Sequence, residues 1–123
     1  MPEASYGNIV ANMPPRDPVR LGEVEQLVLL AMLRLEGDAY AVPIRDVIER
    51  DAGVALARGS IYITLDRLER KGLVESRMSE PTPEPGGKAR RVFRIRPSGV
   101  AALRSARRAV DRLAAGTIVG RKV

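Results

Sequence analysis

The chain of 123 residues has no cysteine, no histidine and no tryptophan, and its only phenylalanine is Phe93. Without cysteine there is neither a disulfide framework nor a thiolate metal site; without histidine the commonest general base and the commonest metal ligand are both missing. No acid pair and no nucleophile-base set stands out among the remaining residues, so an enzyme is not expected, and neither a metal nor another cofactor is called for. No apolar run approaches the roughly 20 residues that span a bilayer, and the opening MPEASYGNIV lacks the basic-then-apolar layout of a signal peptide. The expectation is a cytoplasmic protein with no membrane contact. At this length it forms one small domain whose own core is modest, so assembly with a second copy is a natural source of further burial.

Charge is present but unevenly spread. Residues 1–85 hold 10 Lys/Arg against 14 Asp/Glu, a net of −4, whereas residues 86–123 hold 11 Lys/Arg against the single acid Asp111, a net of +10. Such asymmetry fits a polyanionic partner, because phosphates bind lysine and arginine with release of counterions. It equally fits an arginine-rich solvated surface.

Residues 1–20 carry four prolines and little apolar periodicity, as expected of a flexible N-terminal arm. From Leu21 to Leu35 the pattern is helical, and Leu27, Leu30, Met32 and Leu33 widen the apolar stripe so far that the helix must lie between other elements. Gly37-Asp38 closes it. A second helix follows Ala39-Tyr40, with Pro43 in its first turn and Ile44, Val47 and Ile48 on its buried side, and ends at Asp51-Ala52-Gly53. Val54–Ala57 is a small strand or a packed turn.

A third helix begins at Arg58. Ile61, Leu65 and Leu68 recur at i, i+4 and i+7, which leaves Ser60, Thr64, Arg67 and Lys71 on the other side. Gly72, after the basic Arg70-Lys71, supplies the stop, and Leu73–Met78 leaves at once as a strand. Two short helices across a tight turn, the second presenting polar and basic residues outward, match the helix-turn-helix pattern.

SEPTPEPGGKAR then forms a loop rich in proline and glycine, and Val92–Arg96 alternates so that Phe93 and Ile95 face the core while Arg94 and Arg96 face out. The two strands make a β-hairpin with a long tip. Lys88, Arg90 and Arg91, on its return edge, are placed either to meet a phosphate backbone or to discourage edge-to-edge aggregation. Pro97-Ser98 opens a last helix that runs to about Ala115. Leu103, Ala106, Val110 and Leu113 follow a 3-4-3 spacing, widened by Val100 and Ala114, and this seam predicts packing both on the first helix and on the same helix of a second copy. Residues 117–123 are expected to be a frayed tail. The fold class is therefore mainly α with a small β-hairpin wing: a winged helix-turn-helix over 21–96 and a dimerisation helix over 97–116.

The blocks LGEVEQLVLLAML at 21–33, AYAVPI at 39–44, GSIYITLDRLERKGLVES at 59–76 and GGKARRVFRIRPSGVAAL at 86–103 resemble the PadR family of transcriptional regulators, in its short form with a single C-terminal helix. The third block is the most specific, with Gly59-Ser60-Ile61-Tyr62 ahead of the leucine-rich helix and Gly72-Leu73. Two departures bear on base preference: Ile63 stands where many members have proline, and Ala41 where many have glycine.

The resemblance implies a homodimer that binds double-stranded DNA at a pseudo-palindromic operator, usually as a repressor. On this expectation Arg58, Ser60 and Thr64 read the major groove, and Tyr62 and Arg67 lie on phosphate or at the base edges, with Tyr62 alternatively packing on the second helix. Lys88, Arg90 and Arg91 would hold the wing on the backbone or minor groove. The dimer interface would comprise Val100, Leu103, Ala106, Val110 and Leu113. A small apolar effector would occupy an aliphatic pocket between the first and last helices. The competing expectation is a winged-helix module whose basic surface docks an acidic protein partner.

Overall fold

The computed structural model describes residues 20–121, so the arm expected over 1–20 lies outside the described residues except for Arg20. Four helices and one hairpin follow in the order α1 (Glu23–Leu35), α2 (Ala41–Ala52), α3 (Arg58–Arg70), β1 (Val74–Met78), β2 (Arg91–Ile95) and α4 (Pro97–Ala114). The expected architecture, mainly α with a small β wing, is the one observed. Among the described residues no helix is long and apolar enough to cross a membrane.

Most of the broad apolar surface of α1 is covered by its neighbours, although Leu33 stays 40% exposed. Val28, Leu29 and Met32 are at most 1% exposed, and Val24, Leu27 and Leu30 pack partly against the same core. Ile44, Val47 and Ile48 from α2 and Ile61, Leu65 and Leu68 from α3 close that core, as their i, i+3, i+4 spacing requires. Val54 and Leu56 pack on it from a segment without regular structure, which resolves 54–57 as a packed turn.

The start of α1 is held by a charge. Glu25 is 6% exposed; its Oε1 accepts the Gly22 N–H at 2.7 Å, and the Lys71 ammonium sits 2.7 and 2.8 Å from its two oxygens. Lys71 Nζ also donates to the Arg20 carbonyl at 2.7 Å. A carboxylate this dry is tolerable because both of its oxygens are paired. Lys71 thereby belongs to a tie between the first turn of α1 and the end of α3, and not to an outward DNA-facing surface.

The stop of α3 is the one that Gly72 implies. Gly72 has φ +77°, its N–H bonds the Glu69 carbonyl at 2.9 Å, and the Leu73 N–H reaches the Leu68 carbonyl at 3.0 Å. This pair of bonds closes the helix in a Schellman motif and turns the chain straight into β1. β1 and β2 pair antiparallel from Val74↔Ile95 to Met78↔Arg91. Phe93 is fully buried, and its N–H and C=O exchange bonds of 2.8 and 2.9 Å with Ala39, so the segment ahead of α2 forms a one-residue third strand that the sequence did not announce.

α4 is seated on the turn that ends α3. Arg96 N–H donates to the Leu73 carbonyl at 2.9 Å, and Ser98 Oγ to the Gly72 carbonyl at 2.6 Å. Gly99 faces this turn so closely that a Cβ would lie 2.4 Å from the Leu73 carbonyl oxygen and 2.9 Å from Ile95 Cγ1. After α4, a turn with the Thr117 N–H on the Ala114 carbonyl at 3.0 Å continues the chain.

Two glycines should separate by the kind of constraint they relieve. Gly72→Ala meets open space and is expected to cost about 1 kcal/mol for the left-handed backbone alone. Gly99→Ala must displace backbone and is expected to cost about 3 kcal/mol. Urea unfolding of both variants checks the order; equal midpoints would contradict the close seating of α4.

Candidate nucleic-acid interface

The outward side of α3 is defined by what its core stripe leaves over. Arg58, Gly59, Ser60, Tyr62, Ile63, Arg67 and Arg70 are exposed, while Ile61, Leu65 and Leu68 are 0% exposed. Ala57, the residue before the helix, contributes no side-chain cap to the first backbone N–H groups of α3, an arrangement suited to a phosphate. Among the described residues, Arg58, Arg67 and Arg70 have no carboxylate within ion-pair distance.

Thr64 does not share this face. It is 5% exposed, and its hydroxyl donates back to the Ser60 carbonyl at 2.7 Å, a bond that serves the helix and leaves the side chain turned inward. The expected base contact from Thr64 is corrected accordingly. Ile63 takes that place on the outer surface, 56% exposed. Tyr62 is divided: its ring centroid lies 6.5 Å from that of Phe93 at an interplanar angle of 59°, yet 38% of the residue is accessible. It leans toward Phe93 of the wing strand and still presents an edge to the face.

Arg91 is also reassigned. Its guanidinium pairs with Asp66 at 2.7 Å and Glu69 at 2.6 Å, receives the support of Ser76 Oγ at 3.2 Å, and lies 4.8 Å above the Phe93 ring. Ser76 in turn donates to Glu69 at 2.9 Å. Every fork of the guanidinium is engaged within the chain, so Arg91 clamps the wing to α3 and is not available as a phosphate contact. The signal for this in the sequence is the pair Asp66 and Glu69, three residues apart on one flank of an otherwise basic helix.

The wing's free charge is smaller than its composition. Arg77 and Arg94, on adjacent strands, both reach Asp38, at 2.5 and 2.8 Å. Hydrogen bonds from Arg94 and then Arg77 hold the Asp38 carboxyl below its ordinary value. At the tip, Lys88 and Arg90 are exposed but share the loop with Glu80 and Glu84. The Arg90 guanidinium lies 4.5 Å from the Tyr40 ring centroid.

The seam on α4 is split by the fold. Leu103 is 3% exposed and belongs to the core of its own chain, which removes it from the expected dimer interface. Val100 and Ala106 are half-buried. Val110 and Leu113 are 60% and 85% exposed, and Ile118 and Val119, 82% and 83% exposed, follow them. Arg104, Arg107, Arg108 and Arg112 are exposed on the same helix. An apolar cavity of about 180 Å³ lies between α1 and α2, lined by Leu27, Leu30, Val47 and Ile48 with Arg34 and Asp51 at its side.

Comparison with known proteins gives a consistent neighbourhood. The Transcriptional regulator PadR-like family matches residues 29–105. A transcriptional regulator of Mycobacterium tuberculosis is 41% identical over 68 residues, 55% of this chain and 60% of that protein, so the match spans less than two thirds of the relative's length. The fold is similar to that of a PadR family transcriptional regulator from Eggerthella lenta, with a TM-score of 0.60 and 25% identity over 92% of each chain. It is also similar to Bacillus subtilis PadR in complex with operator DNA, with a TM-score of 0.57 and 16% identity over 70% of this chain and 47% of that one, a likeness of fold alone.

Two outcomes follow from the wing's attachments. Arg91→Ala should lower stability by about 1 kcal/mol, a figure reduced for the partial exposure of the pairs, and should raise amide hydrogen exchange across β1 and β2, whereas Arg90→Ala should leave exchange there unchanged. Because the Asp38 pKa is depressed in the folded state, its contribution is present above the ordinary carboxylate value and is lost as pH falls through the lower folded value. Thermal unfolding of the wild type should therefore decline more steeply below about pH 4 than that of Asp38→Asn; parallel curves would show that Asp38 does not hold the wing.

Proposed function

Because the chain belongs to the PadR-like family of transcriptional regulators, we propose that it is a sequence-specific DNA-binding regulator that acts as a homodimer on a pseudo-palindromic operator, with repression as the result of occupancy. The observation that carries this reading is the outward side of α3: three arginines without an ion-pair partner among the described residues, first-turn N–H groups that no N-cap side chain caps, and the short Gly59 and Ser60, beside a wing clamped by Arg91. Such a helix enters a major groove with its N-terminal residues toward the bases and its cations toward phosphate. The family and the operator-bound neighbour of like fold support the same partner.

In this mode Ser60 and the accessible edge of Tyr62 lie nearest the base edges, and Arg58, Arg67 and Arg70 lie along the phosphates. Lys88 and Arg90 of the wing meet the adjacent backbone. The second copy joins through the projecting half of α4, where Val110 and Leu113 give an apolar stripe that the single chain leaves uncovered, with Val100 and Ala106 at its margin. Two copies then present their reading helices to successive grooves about 34 Å apart. The α1–α2 cavity is the place assigned to a small apolar effector; at about 180 Å³ it is below the roughly 300 Å³ of pockets that enclose drug-sized ligands, so a neighbouring copy would have to complete it.

The test is selection of duplexes from a randomised library on the purified protein, followed by titration at several salt concentrations. The expected outcome is an enriched pair of inverted half-sites and binding that weakens steeply with salt. Arg67→Ala should flatten the dependence of log affinity on log salt by roughly 2, one contact per copy at about 0.9 each. No enrichment, with retention of an acidic protein partner instead, would replace this reading by that of a protein-docking module.

A further inference from the structure

Ile63 is the one aliphatic residue of α3 that stands outside the core. It is 56% exposed, whereas the three aliphatic residues of the core stripe are 0% exposed, and it is absent from both the buried cluster and the partly buried residues packed around it. An exposed β-branched side chain in a helix also gives up helix propensity relative to the straight-chain polar residues that usually occupy such positions. The protein therefore carries Ile63 at a cost to solubility and to the helix, without a place in the core of the described residues.

Its position supplies the compensation. Ile63 lies one turn after Gly59 and one turn before Arg67, in the middle of the exposed side of α3. Gly59 has no side chain, and the space where its Cβ would stand is open for 4 Å. Ser60 is short. The first turn can thus descend to the floor of a major groove, and Ile63 is the first bulky group behind it. Arg67 and Arg70 follow, where phosphate would stop further descent. Among the donors and acceptors that the base edges present in a major groove, the C5-methyl of thymine is the one apolar group that projects to meet a side chain. A branched hydrocarbon held against that edge gains by covering a methyl and leaves polar edges unpaired.

We infer that Ile63 is a specificity-determining residue that recognises the C5-methyl group of a thymine in each half-site. The inference rests on the assignment of α3 to the major groove. It adds to it an apolar base contact at a position where the sequence pattern pointed only to polar and charged readers.

The experiment uses the duplex enriched from the randomised library. Each thymine is replaced in turn, symmetrically in both half-sites, by deoxyuridine, which removes the methyl and leaves the pairing intact. For the wild type, one substitution should weaken binding about fourfold per methyl, roughly 15-fold for the pair, the effect expected for one buried methyl in each copy. For Ile63→Ala the same substitution should have no more than about a twofold effect, while that variant still binds the duplex. Replacing that position with a cytosine and then with 5-methylcytosine separates the methyl from the rest of the base: the methylated form should recover part of the lost affinity in the wild type only. If the duplex binds but no deoxyuridine weakens it, or if Ile63→Ala keeps the wild-type sensitivity, the role of Ile63 is overturned and the DNA-binding assignment stands. If no duplex is enriched at all, both are overturned.

Discussion

The ion-pair cluster of Arg91 with Asp66 and Glu69 is the constraint that joins the two halves of this small domain. A hairpin of two five-residue strands is not stable by itself in water, and here it is anchored at three points. Phe93 fills the core, its backbone bonds Ala39 ahead of α2, and the neighbouring Arg91 spans to two carboxylates one helical turn apart on α3. The side chain next to the buried ring thus fixes the angle between the wing and the helix whose outer surface is open. Tyr62, leaning toward Phe93 from α3, closes the same junction from the other side.

This arrangement changes how the charge of the chain is understood. The last third has a large positive excess, but two of its arginines, Arg91 and Arg94, are spent on Asp66, Glu69 and Asp38, where Arg77 of β1 joins them, and two glutamates accompany the cations of the tip. Among the described residues, the cations without a carboxylate partner include Arg58, Arg67 and Arg70 on α3, Lys88 and Arg90 at the tip of the wing, and Arg104, Arg107, Arg108 and Arg112 along α4. Electrostatics therefore does two jobs in different places: paired charges build the angle between wing and helix, and unpaired charges are left where a polyanion could approach.

Much of the fold was legible because periodicity reports burial. The i, i+4, i+7 spacing of Ile61, Leu65 and Leu68 located α3 and its core side, and Gly72 after two cations located its end to the residue. What periodicity cannot report is which polar residues are engaged within the chain. Thr64 sits beside the apolar stripe, where a hydroxyl can satisfy itself on the preceding turn, so its burial carries no pattern. Arg91 and Lys71 look like free cations until the fold brings Glu69 and Glu25 to them across 22 and 46 residues of sequence. The seam on α4 was visible as one stripe, but only tertiary structure could divide it at Leu103 into a half that joins its own core and a half that does not.

The account makes one geometric claim above the others: the exposed side of α3, in two copies, lies in successive major grooves of a duplex. Dimethyl sulfate interference on an enriched duplex measures this directly, since methylation of guanine N7 blocks the major groove and methylation of adenine N3 blocks the minor one. The account predicts N7 interference in two clusters about one helical turn apart, related by the symmetry of the half-sites. Interference confined to adenine N3, or a single unsymmetrical cluster, would contradict it.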